Sequence, residues 1–279
     1  MPNRRSGAAR GRGGGREPGS GASADGAVVP PGSEGTSGPV RDSGLPWELP
    51  HTFLGLDEEA SDFSTSRAFI LPVPYESTTS FGGGTRSGPN GILDASRYIE
   101  LWDQELQTDP STVGIHTLPA FELTRAGAGP AMEELEMAFG RVLDLVGDRF
   151  PVMLGGEHSV SAPAIRATAA RQSARLHVLQ FDAHADLRDS YQGTSLSHAC
   201  TMRRVFESTR GILQVGLRSL SKKEALFLES EADWPVVWAR ETWESDEWMD
   251  RAIDSLPEAV YLTVDVDGFD LRYQGKHGI

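Results

Sequence analysis

Only one cysteine, Cys200, occurs in the 279 residues. That excludes an internal disulfide framework and any cysteine-rich zinc site, and it agrees with a reducing compartment. Long apolar runs are also missing: no stretch approaches the roughly 18 residues that a membrane helix needs, and no hydrophobic segment follows the N-terminal arginines as in a secretory signal. A cytoplasmic location without a membrane partner is expected. Basic residues are scarce, 26 against 40 acids for a net charge of −14. Residues 1–45 hold six arginines and four acids, a net +2, so the remainder carries −16. An acidic body disfavours nucleic acid as a partner and attracts small cations. The Gly/Arg/Ser/Pro-rich residues 1–45 read as a solvated, disordered leader, and residues 46–279 as one domain able to bury a sizeable core.

What the body does contain is an alternation. Short runs rich in Val, Ile, Leu and Phe occur at Ala68 to Val73, Pro151 to Leu154, Leu176 to Phe181, Ile212 to Leu217, Pro235 to Ala239 and Ala259 to Val264. They read as strands. Helical spacing lies between several of them, as in Met132, Leu135, Ala138, Val142, Leu145 and Val146, or Trp248, Ala252, Ile253 and Leu256. Strand, helix, strand predicts a mostly parallel sheet with both faces covered, a three-layer αβα arrangement. In such sheets ligands bind beyond the carboxyl ends of the strands, so polar residues just after a strand carry the functional signal.

Three strand ends stand out. Gly155-Gly156-Glu157-His158-Ser159 lets the chain leave a strand sharply and sets His158 at the mouth of the next helix; beside Ser159 it is either a helix-cap neighbour or half of a nucleophile pair. Asp182-Ala183-His184-Ala185-Asp186 follows the third predicted strand. If that stretch is extended, its three metal-capable side chains project the same way, and burying them together without a cation is costly. Thr263-Val264-Asp265-Val266-Asp267 again ends a strand in carboxylates two apart. The pooled set, His158, Asp182, His184, Asp186, Asp265 and Asp267, is mostly oxygen and partly imidazole, which suits manganese. Six ligands are too many for one ion that keeps a substrate position, so two ions sharing carboxylates are the simpler account.

These three segments, in this order along a βα chain, resemble the ureohydrolases, the family of arginases and agmatinases, and the likeness runs from about Ala68 to Asp270. It begins with Pro72-Val73-Pro74-Tyr75-Glu76 and the glycine-rich loop Gly82 to Pro89. The resemblance implies an arginase/deacetylase-like α/β fold and two Mn2+ ions. His158, Asp182, Asp186 and Asp265 would hold one, and His184, Asp182, Asp265 and Asp267 the other, with Asp182 and Asp265 bridging. It also implies a trimer or hexamer, and hydrolysis of a guanidino carbon by hydroxide generated between the ions. His198, in Ser197-His198-Ala199, matches the family's proton-transfer histidine, a role for which imidazole is suited because it is the side chain that ordinarily titrates near neutral pH.

Arginases usually carry asparagine two residues after the third ligand; here Arg188 stands there. The run Asp186 to Met202, with Tyr191 and Gly193, looks more like agmatinases, so agmatine, cleaved to putrescine and urea, is the expected substrate. Arginine, guanidinobutyrate and formiminoglutamate remain alternatives. Arg188 suits a cationic substrate only if paired, with Asp189 or Glu76 as candidates. His51 and His116 read as loop residues and His177 as a strand start, all structural; Cys200 reads as buried rather than nucleophilic, and Trp234, Trp238, Trp243 and Trp248 as packing residues. After Asp270 the sequence is polar and unpatterned, where the family continues into a proline, a small-residue loop and a substrate-facing glutamate. The domain is therefore expected to be incomplete at its C-terminus, lacking about two strand–helix units of roughly 30 residues each and leaving a sheet edge and apolar surface uncovered. A non-catalytic relative that keeps the fold is the competing reading.

Overall fold

The computed structural model describes residues 48–172, 176–209 and 211–269; the leader, residues 1–45, and the polar ending after Phe269 lie outside them. The strands are β1 (Ala68–Val73), β2 (Ile115–Thr117), β3 (Phe150–Gly155), β4 (His177–Phe181), β5 (Ile212–Leu217), β6 (Val236–Trp238) and β7 (Val260–Val264). The helices are α1 (Gly88–Ser96), α2 (Ala128–Val146), α3 (Ser161–Ala169), α4 (Thr201–Ser208), α5 (Lys222–Ser230), α6 (Glu241–Glu244) and α7 (Glu247–Ser255). Local chemistry sets their limits. Gly147, at φ 62°, terminates α2 and donates to the Leu143 carbonyl, the left-handed end that glycine takes without strain. Ser221 and Glu224 cap α5 reciprocally.

All pairings between these strands are parallel, but they form two sheets rather than the expected one, in the orders β2-β1-β3 and β6-β5-β4-β7. β3 and β7, each an edge strand of its sheet, do not pair with one another. Packing connects the halves instead. Helix α3 places Ala164 and Ala167 in the core of the first sheet and Ala162 and Ile165 in that of the second, and Tyr261 of β7 packs against both. The short β2 lies outside the six predicted strands, and His116 within it is not the expected loop residue; its ring packs edge-on to Phe63 and its Nδ1 meets the Ser61 carbonyl.

Both faces of the inner strands are covered. Phe69, Leu71 and Val73 of β1 pack with α2 and α3, while Ile70 faces Leu56 and Leu93 of α1. In β5, Leu213 and Val215 pack with Ala252 of α7, whereas Ile212 and Leu217 face Val205 of α4 and Trp234. The switch of Leu217 to the other face follows from a register shift between Val215 and Leu217 at Gly216, whose φ is 94°. A bulge of this kind turns the strand end. On β7 the apolar Val260, Leu262 and Val264 are exposed.

Because α3 is shared by both cores, Ile165→Ala is expected to destabilise the fold by about 2–5 kcal/mol, the usual cost of truncating a fully buried aliphatic side chain. Ile253, which the helical spacing assigns to the same apolar stripe as Ala252, is exposed, and Ile253→Ala should cost less than about 0.5 kcal/mol. Urea-unfolding midpoints of the two variants check the contrast.

Candidate metal centre

The six predicted ligands come from three loops that follow strands. After β3 the chain turns at Gly155 and Gly156, and a Cβ on Gly156 would sit 2.0 Å from the Tyr75 carbonyl oxygen. This close approach lets the segment after β1 run beside the turn, with the Glu157 amide donating to the Tyr75 carbonyl. His158 then opens a short 3-10 turn leading into α3. Its Nδ1 lies 2.7 Å from Asp186 Oδ2, 3.2 Å from Asp182 Oδ2 and 3.9 Å from Asp265 Oδ2. Its Nε2 meets the Thr263 hydroxyl at 3.2 Å, and that hydroxyl also contacts Ser161 Oγ at 3.0 Å. A partner on the far nitrogen fixes the imidazole with Nδ1 toward the carboxylates.

The Asp182 to Asp186 segment is not the extended row that the strand rule suggests. β4 ends at Phe181, and Asp186 sits in the left-handed region at φ 51°, a conformation that aspartate tolerates better than most residues. The bend divides the ligands. His158, Asp182 and Asp186 offer atoms all within 4.8 Å of one another, and so do Asp182, His184 and Asp267, with Asp182 common to both groups. His184 Nδ1 lies 2.9 Å from Asp267 Oδ2. Likewise the carboxylates after β7 leave the strand: Asp265 caps a 3-10 turn, Val266–Gly268, its side chain accepting from the Asp267 amide. The Arg218 side chain donates to the Asp267 carbonyl and clasps this turn.

The two groups differ in exposure. The side chains of His158, Asp182 and Asp186 are 5%, 1% and 8% exposed, whereas those of His184 and Asp267 are 51% and 42% exposed. One half of the centre is therefore enclosed and the other opens to solvent. Electrostatics record the crowding. Burial pushes Asp186 up to about 6, which His158 only partly offsets, and burial also raises Asp265, helped by the neighbouring Asp182 and Asp267 charges. Burial opposes the charged form of His158, but hydrogen bonds to Asp182 and Asp186 outweigh it and hold the imidazole well above the usual histidine range. The hydrogen bond to Asp267 lifts His184 to about 9 against the opposing effect of burial. Four carboxylates held this closely, with two imidazoles, form a donor set that fits divalent cations of the manganese kind.

His198 opens the 3-10 turn before α4, a turn that packs against the one carrying His158. Its partners were not legible as functional in the sequence. The buried Glu157 carboxylate accepts from the Ser77 and Thr78 amides, the Thr78 hydroxyl and the Ser159 hydroxyl, all at 2.6–2.7 Å. Ser159 is thereby a partner of Glu157, not half of a nucleophile pair with His158. Thr78 Oγ1 in turn meets the His198 amide at 3.0 Å and its Nδ1 at 3.2 Å. Arg188 is paired, although with neither expected acid: Glu224 Oε2 lies 3.6 Å from its Nε, and its guanidinium stacks 4.7 Å from the Tyr191 ring centre. Glu76 instead accepts from Gly84, Thr85 and Arg86 and pins the glycine-rich loop. Cys200 is buried, and burial raises its thiol. The signal that could have exposed Glu157 is its place between a glycine pair and a ligand, a poor position for a solvated acid.

An imidazole must shed its proton to hold a metal. With His184 lifted from 6.5 to about 9, Mn2+ affinity is expected to climb as pH rises through that window and to level off above it. Calorimetry in two buffers of different ionisation enthalpy should show proton release on binding at neutral pH; an affinity flat across the window contradicts the arrangement.

The family model described as the arginase family matches residues 66–275. The N(1)-aminopropylagmatine ureohydrolase of Synechocystis sp. is 37% identical over 226 residues, 79% of this chain and 73% of that protein. The agmatinase of Pyrococcus horikoshii is 31% identical over 80% of this chain and 76% of its own. The structure of Trypanosoma cruzi formiminoglutamase with Mn2+ superposes with a TM-score of 0.66 at 18% identity, covering 79% of this chain and 76% of that one, a likeness of fold. No helix among the described residues is long and apolar enough to cross a membrane. From the strand-end ligands, the matched span and these relatives, the chain belongs to the arginase family of ureohydrolases.

Proposed function

We propose that this chain hydrolyses a linear, cationic guanidino compound, agmatine or its N(1)-aminopropyl derivative, to urea and an amine, with two Mn2+ ions as cofactors. The observation that carries the reading is the pair of ligand groups joined at Asp182, one enclosed and one open. His158, Asp182, Asp186 and Asp265 would hold the inner ion, and Asp182, His184, Asp265 and Asp267 the outer. Bound there, the ions supply Lewis acidity and lower the pKa of water, which a resonance-stabilised guanidinium carbon needs for attack at neutral pH.

The remaining chemistry belongs to side chains. The leaving amine needs a proton, and His198 is the group we assign to deliver it. Thr78 Oγ1 gives its only proton to Glu157 at 2.7 Å, so toward His198 it can only accept. The neutral imidazole therefore keeps its proton on Nδ1 and leaves Nε2 to exchange protons with the reacting amine. Substrate charge follows from Arg188: with Glu224 and Tyr191 engaging its guanidinium, it does not repel a cation, and the acidic body, −16 beyond residue 45, attracts one. The names of the relatives favour agmatine and aminopropylagmatine over arginine. We place the protein in the cytoplasm and polyamine synthesis, where agmatine cleavage would supply putrescine, and expect a homo-oligomer.

Urea release with added Mn2+ from agmatine, N(1)-aminopropylagmatine and arginine, assayed side by side, tests the assignment; no urea from any guanidino compound would leave the non-catalytic reading. His198→Ala is expected to lower kcat by about 100- to 10,000-fold with Mn2+ binding intact. A variant that loses metal instead, or keeps its kcat, would remove His198 from the proton-transfer role.

A further inference from the structure

Two glutamines, fully buried, interrupt the apolar runs of β4 and β5, and they are direct partners in the parallel register, Gln180 opposite Gln214. Burying an amide is costly unless each polar atom is satisfied. Here each is. The Trp234 indole donates to Gln214 Oε1 at 3.1 Å. Gln214 Nε2 donates to Gln180 Oε1 at 2.6 Å and to the Ala185 carbonyl at 3.1 Å. Gln180 Nε2 donates to Asp182 Oδ2 at 2.7 Å and to the His184 carbonyl at 3.4 Å. The series runs unbroken from an indole in the aromatic core, against Phe206 and Phe227, to the carboxylate common to both ligand groups.

Its direction is forced. An indole N–H only donates, so the oxygen of Gln214 must face Trp234. The amino group of Gln214 must then face the oxygen of Gln180, whose own amino group must face Asp182. Flipping either amide would set two donors or two acceptors against each other. We infer that Trp234, Gln214 and Gln180 are positioning residues that hold Asp182, and through the carbonyls of His184 and Ala185 the ligand loop itself, in the geometry that binds the metal pair. Packing alone would not need donors aligned toward a ligand carboxylate. This rests on the metal reading above and makes no use of turnover.

The test is Mn2+ affinity of the full chain, from free Mn2+ counted by electron paramagnetic resonance, for wild type, Gln180→Leu, Gln214→Leu, Trp234→Phe and the Gln214→Leu/Trp234→Phe double variant, each checked for a cooperative melt. Partners behind metal ligands typically matter by about 10- to 100-fold in affinity. Gln180→Leu should weaken Mn2+ by that amount, and Trp234→Phe, which keeps an aromatic side chain but loses the indole N–H, by a few-fold. The double variant should bind like Gln214→Leu alone, because Trp234 acts through that amide. Folded variants that bind Mn2+ as wild type does would overturn the inference and reduce the network to core packing, as would a double variant in which the losses add. If the leucine variants fail to fold, Trp234→Phe decides: wild-type affinity in it overturns the inference. A wild-type chain that binds no Mn2+ is a different failure, that of the metal reading itself.

Discussion

The constraint on which the structure turns is the crowding of carboxylates around Asp182. An acid with 1% of its side chain exposed, beside three others and two imidazoles, is tolerable only where positive charge compensates. Protons are one source, and the raised Asp186, Asp265, His158 and His184 are the form this takes without metal. Divalent cations are the other. The same groups would therefore set both a metal affinity and its pH response.

Everything nearby serves to hold that crowd in place. Gly156 lets two chain segments approach closely enough for Glu157 to gather the backbone after β1 and the Thr78 hydroxyl. Thr263 holds the far side of His158, and Arg218 clasps the turn with Asp267. Gly216 bulges β5 beside the Asp182 carbonyl. Glu157 is engaged by amides and hydroxyls and Arg218 by backbone carbonyls, so these partners orient the candidate ligands from behind.

The two-sheet arrangement makes this centre a joint as well as a site. β3 ends in the loop of His158, while β4 and β7 end in the loops of the aspartates, and no backbone ladder joins β3 to β7. Connections across that division include α3, Tyr261, the contacts from His158 to Asp182, Asp186 and Thr263, and the Thr78–His198 hydrogen bonds. Metal ions at the centre would add bonds between ligands from both halves.

How much was legible depends on the range of the interactions. Strand and helix periodicity marked six of the seven described strands, because apolar alternation is a local property of the chain; β2, three residues long, was too short to show it. The six candidate ligands were picked out by their types and their places after strands, and the family likeness by their order. What spacing could not tell was the grouping. Extended geometry puts Asp182, His184 and Asp186 in one row, but the chain leaves the sheet and Asp186 turns left-handed, so each ligand group needs a residue from another loop. The partner of Arg188, the Glu157–Thr78–His198 contacts and the Gln214–Gln180 series were beyond reach for the same reason: they join residues tens of positions apart. By itself the sequence determined the fold class, the family and the donor chemistry, all carried by local pattern and residue type. Only the tertiary structure decided which donors meet, which half of the centre is open and which surrounding groups hold it, because those depend on distances between segments that the chain brings together only when its cores pack.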